Sequence, residues 1–143
     1  MTLHHPSMDT VALLEHSLEL VVERIGDPAP RVYDALFAQD PQLRAMFIGD
    51  PLGSVRGEMF HRVIDTLIDV AGGRPYAAGM IAAEWSNHRM NGVSAAQFQA
   101  FFDIVVQVLR QALGQEWTAQ IDAAWLATLQ QVAQITGAVA PQP

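Results

Sequence analysis

Five histidines and a modest set of carboxylates carry whatever side-chain chemistry this chain can do. There is no cysteine and no lysine among the 143 residues; all eight basic residues are arginine. Disulfides, thiolate metal ligation and a thiol nucleophile are therefore excluded. So are a phosphate-loop lysine, a Schiff base and a lysine general base. His4 and His5 form a vicinal pair in a polar tail and are weak metal bait. His16 points away from the apolar stripe of its helix and reads as solvated. His61 borders a stripe, one position past Phe60. It suits either a partly exposed flank or a ligand or proton donor in a pocket. His88 is different, because Ile81, Trp85 and His88 follow i, i+4, i+7 spacing and set the imidazole on an apolar stripe. A neutral imidazole on a dry face near a helix end suits an iron ligand; it equally suits a satisfied core histidine. Spacing alone leaves both open.

The elements that must position these side chains are legible from punctuation. Asp27-Pro28, Asp40-Pro41 and Asp50-Pro51 each read as a helix start, since aspartate accepts from a free amide and proline loses no bond there. Ser94 with Gln97 reads as a capping box, and Thr118 as a cap for the last helix. Gly26, Gly72-Gly73, Gly92, Gly114 and Gly137 read as stops. Between them run four apolar stripes at helical spacing. They are Leu14–Leu18–Val21–Ile25, Leu52–Val55–Met59–Val63–Leu67, Phe98–Phe101–Phe102–Val105–Leu109–Ala112, and Ile121–Trp125–Leu129–Val132–Ile135. No strand pair is evident; Asn91-Gly92 sits at a helix end. The expectation is an all-α fold of about seven unequal helices with short connections.

Composition bounds the partners. Half the residues are apolar and 16% are charged, which argues for a packed domain over a disordered chain. The net charge of −7 repels a phosphate backbone, so no nucleic-acid partner is expected. No basic-then-apolar leader and no long apolar run are present, so no membrane partner and a cytoplasmic location are expected. One domain over 1–143 is expected, with disordered ends at about 1–8 and 138–143.

From about Leu14 to Val139 the chain resembles the globin family, specifically single-domain bacterial globins related to the globin domain of flavohaemoglobins. The run Val32-Tyr33-Asp34-Ala35-Leu36-Phe37-Ala38-Gln39-Asp40-Pro41-Gln42-Leu43-Arg44-Ala45-Met46-Phe47 is similar to that family's second helix and corner. His88-Arg89-Met90-Asn91-Gly92-Val93, with Phe98 five residues on, resembles its proximal-histidine motif. Trp117 and Ala124-Trp125 fall where such globins carry Trp and Ala-Trp.

The resemblance implies a globin fold around a pocket for haem b, iron protoporphyrin IX. It implies His88 as the axial iron ligand, Phe47 packed on the porphyrin and Tyr33 as a distal hydrogen-bond donor, with Val93 and Phe98 also at the cofactor. For Tyr33 the alternative is an ordinary buried phenol bonded to a backbone carbonyl. The distal helix has two registers: Val55 and Met59 over the cofactor, or Arg56 and Phe60. The stripe favours the first, which leaves Tyr33 as the only polar group at the ligand. Under the second, Arg56 becomes a distal donor or a propionate partner.

Two departures from the related globins bear on function. Their proximal histidine is held in a Tyr–Glu relay; here those positions read Phe98 and Ala140. His88 must then be oriented more weakly, with the carbonyl of Glu84 as the candidate. No flavin or nicotinamide domain is expected after the globin-like segment. Together these favour reversible binding of dioxygen or another diatomic gas. Nitric oxide dioxygenation or weak peroxidase chemistry with a separate reductase is the alternative. A haem-free helical sensor or interaction module is a further one.

Overall fold

The computed structural model describes residues 6–137. Six α-helices and two short 3₁₀ helices make up its regular structure, with no strand among the described residues. They are α1 (Pro6–Ile25), α2 (Ala29–Gln39), a 3₁₀ helix (Pro41–Phe47), α3 (Ser54–Ala71), α4 (Ala77–Met90), α5 (Ala95–Leu113), a 3₁₀ turn (Gly114–Glu116) and α6 (Ala119–Thr136). α1 begins inside the stretch expected to be tail. His4, His5 and the segment 138–143 that holds Ala140 lie outside the described residues.

Most of the punctuation acts as its chemistry dictates. Asp27 accepts from the Ala29 amide at 3.0 Å and starts α2. Ser94 and Gln97 form the reciprocal capping box of α5, and Thr118 accepts from the Ile121 amide to start α6. Asp40-Pro41 starts a helix of the tighter 3₁₀ kind. Asp50-Pro51 starts only a turn. There Gly53 takes a φ of 79°, open to glycine but costly to other residues, and α3 begins at Ser54. The Asp50 carboxylate still caps α3 from a distance, accepting from the amides of Val55 and Arg56 at 3.1 and 3.0 Å.

α5 and α6 carry nearly half of the buried apolar core, with α1 packed on both. Leu14, Val21, Val105, Leu109, Trp125 and Val132 are wholly buried there. One buried polar link crosses this layer. Trp125 Nε1 donates to Ser17 Oγ at 2.9 Å, and Ser17 in turn donates to the Leu14 carbonyl at 2.7 Å. Arg24 reaches from the end of α1 to the Leu113 carbonyl and to Glu116, closing the C-terminus of α5.

α3 departs from the single stripe expected of it. Leu52 precedes the helix and is 92% exposed. The core-facing set is Phe60, Ile64, Leu67, Val70 and Ala71. Val55, Met59 and Val63 lie on a neighbouring face that borders an interior cavity. A helix with two apolar faces presents a stripe too broad for spacing to assign.

Candidate functional site

The cavity has a volume of about 440 Å³, within the range of small-molecule and cofactor sites. α2, the corner 3₁₀ helix, α3, α4 and α5 all contribute to it. Tyr33, Phe47, Val55, Met59, His88, Val93 and Phe98 all line it. Its walls are mainly apolar, with further contributions from Leu36, Leu43, Ile81 and Phe101.

His88 reaches the cavity from the last turn of α4. Its side chain is 30% exposed, so it is a wall residue and not the satisfied core histidine that spacing also allowed. Nδ1 lies 2.7 Å from the backbone carbonyl of Glu84. A carbonyl only accepts, so Nδ1 carries the proton and Nε2 keeps its lone pair. Nε2 is thus the nitrogen free to coordinate. Phe98 packs its ring against the imidazole at 5.2 Å in an edge-on arrangement. Behind the ring, the Val93 amide donates to the His88 carbonyl at 3.0 Å and fixes the helix end.

Tyr33 enters from α2, 3% exposed. Its hydroxyl is buried and no protein group hydrogen-bonds to it, so it is not the phenol bonded to a backbone carbonyl that the sequence also allowed. A buried hydroxyl left without an acceptor costs free energy, and this one sits on the cavity wall, where a water or a ligand can meet it. Burial pushes its pKa well above the usual tyrosine value. The Arg56 charge opposes that shift and the Asp50 charge adds to it. The phenol therefore stays neutral and can donate. Its ring packs on Phe47 at 5.6 Å and on Phe101 at 5.6 Å. From Phe101 a chain of edge-on rings runs along α5 through Phe102 and Phe98 to His88. Tyr33 and His88 are thus held apart, with the cavity bordered by both.

Val55 and Met59 line the cavity, whereas Phe60 is core at 1% exposure. Arg56 turns to Asp50 instead: Nε donates to Oδ2 at 3.2 Å, and a second nitrogen donates to the Asp50 carbonyl at 2.9 Å. Its guanidinium sits 5.9 Å from the Phe37 ring and 6.0 Å from that of Phe47. Burial acts to raise the Asp50 pKa, but the two amides and Arg56 outweigh it and hold the carboxyl below its usual range.

Beside Tyr33, Asp50, Arg62 and Thr66 also line the cavity, so its wall is more polar than the expectation of one polar group at the ligand suggested. Two of the three are already engaged: Asp50 with Arg56 and the α3 amides, Thr66 with the Arg62 carbonyl at 2.8 Å. Sequence reading missed them because an Asp-Pro pair and a Thr in a helix signal local structure, not a cavity wall. His61 does not join the site. It is 67% exposed and faces Asp27 across 3.9 Å, so the ligand or proton-donor role considered for it falls away. His16 is exposed. No group of three or more His, Asp or Glu that could hold a metal occurs among the described residues.

The donor set suits a flat, mostly apolar cofactor whose metal needs one nitrogen from the protein. It offers one free imidazole nitrogen, one unspent phenol and aromatic walls. The globin family model matches residues 30–136. No curated protein and no solved structure matches the chain.

Proposed function

The chain belongs to the globin family, and from that premise we propose that it is a haem b globin that reversibly binds dioxygen or another diatomic gas. The reading includes a kinship with the single-domain bacterial globins related to flavohaemoglobins. A bound ferrous haem supplies the coordination position at which a gas is held. The chain supplies the rest. His88 Nε2 would hold the iron, with the ring proton on Nδ1 and the ring fixed by the Glu84 carbonyl. Phe47, Val55, Met59, Val93 and Phe98 would give the cofactor apolar walls. Tyr33 offers a neutral hydroxyl proton to the gas.

The single observation that carries this reading is the pairing of two unspent groups in one apolar cavity, the His88 lone pair and the Tyr33 hydroxyl. A haem-free sensor has no use for a buried phenol without a partner. For turnover as a dioxygenase or peroxidase the proximal side matters, and there Phe98 replaces a hydrogen-bonding tyrosine against His88. That substitution favours gas binding, with any redox turnover left to a separate reductase.

Haemin titration with absorption spectra of the ferric, ferrous and ferrous–CO forms tests the reading. The wild type should gain a Soret band at one equivalent, and His88→Ala should lose tight binding. A His88→Ala protein with the wild-type ferrous–CO spectrum would remove His88 as the ligand. A wild type that gains no band would remove haem altogether.

A further inference from the structure

α4 sets a second group of Glu84 beside His88. Glutamate and histidine four residues apart share one helix face, so the Glu84 carbonyl bonds the ring nitrogen and its carboxylate lies near the same nitrogen, beyond hydrogen-bond distance. Nδ1 is 2.7 Å from the carbonyl oxygen and 3.8 Å from carboxylate Oε2. Among the described residues this carboxylate has no arginine partner. The next cation along, Arg89, lies over the Trp85 ring at 5.9 Å instead. Phe98 presents only carbon to the imidazole. The negative charge that faces the ring therefore comes from its own helix.

We propose that Glu84 is a positioning residue for His88, whose carboxylate polarises the Nδ1–H bond that its own carbonyl accepts and so makes the imidazole a more electron-donating ligand. Partners behind a ligating histidine orient it and raise its basicity, and a carboxylate does so more strongly than a neutral carbonyl. Added electron donation favours the ferric over the ferrous state of a haem. The carboxylate is about half exposed, so solvent screens its effect and the result is a tuning and not a full imidazolate. The inference rests on the haem reading above.

Glu84→Gln tests it. The swap keeps side-chain length, helix propensity and the backbone carbonyl, so the fold and the 2.7 Å bond stay. In the haemin-loaded protein the ferric/ferrous midpoint potential should rise. A threefold to tenfold loss of ferric preference reads as a rise of up to about 59 mV. The iron–histidine stretching frequency of the ferrous form should fall by resonance Raman. Glu84→Asp, which keeps the charge, should recover part of both. An intact Soret band with unchanged potential and stretching frequency in Glu84→Gln would overturn the inference while leaving the haem reading standing. A wild type without a Soret band, or a His88→Ala protein that keeps its iron–histidine stretch, would overturn both.

Discussion

A phenol buried without an acceptor is unusual, because nearly all buried polar groups in folded proteins are satisfied. Tyr33 is held in that state by aromatic packing on three sides, from Phe37, Phe47 and Phe101. None of these rings can accept its proton as a carbonyl would. The hydroxyl therefore stays available for a ligand, and burial keeps it protonated well beyond neutral pH. In the haem-loaded protein, Tyr33→Phe should speed oxygen release several-fold, as expected when a hydrogen bond worth about 1–3 kcal/mol is lost. Flash photolysis or stopped-flow mixing reads this off-rate, and an unchanged rate would take Tyr33 out of gas binding. His88 shows the same economy from the other side. Protonation of Nδ1 toward Glu84 leaves a single nitrogen for the cavity.

At the scale of the elements, two polar links decide how helices meet. Ser17 on α1 accepts from Trp125 on α6 inside the core. Ser17→Ala leaves the indole N–H buried with no acceptor and should cost about 1–3 kcal/mol in a urea unfolding series. A cost within error of zero would mean that water reaches the indole. The second link joins the corner to α3, where Asp50 caps two amides and pairs with Arg56. Its folded pKa lies below the unfolded value near 3.8. The stability it contributes is thus present above that value and is lost as pH falls through the folded pKa. Asp50→Asn should be less stable than wild type at pH 7, and the gap should close as pH falls below 3.8 and through the folded pKa. A gap that stays constant across that range would show that the charge of Asp50 does not matter to α3. Because Tyr33, Phe47 and Val55 all border the cavity near this corner, the same substitution should also loosen the pocket wall.

For the molecule as a whole, the cavity leaves apolar side chains such as Met46 and Val55, each 51% exposed, in contact with water until a ligand covers them. A ligand that binds only the folded chain stabilises it by mass action. Haemin at a hundredfold excess over its dissociation constant should add about 2.7 kcal/mol of stability. Thermal unfolding with and without haemin should therefore show a clear rise in Tm for wild type and a much smaller one for His88→Ala. Equal rises in the two proteins would point to nonspecific haemin adsorption.

The helices and most of their ends were legible in the sequence, because capping and glycine stops are local chemistry; the starts of α1 and α3 were not. Thr118, the Ser94–Gln97 box and Gly137 need only their nearest neighbours to act. His88 stood out as well, since one polar residue on an apolar stripe is visible in spacing alone. What lay beyond the sequence depends on how helices cross. Spacing showed that α3 was apolar, but only packing against α1, α2, α4 and α6 divided it into a core face at Phe60 and a cavity face at Met59. Tertiary structure likewise drew Arg56 to Asp50, left Leu52 in solvent and sent His61 to the surface. It alone showed that the Tyr33 hydroxyl has no partner, because an unmade hydrogen bond is a property of everything around the group and is not written in the residue itself.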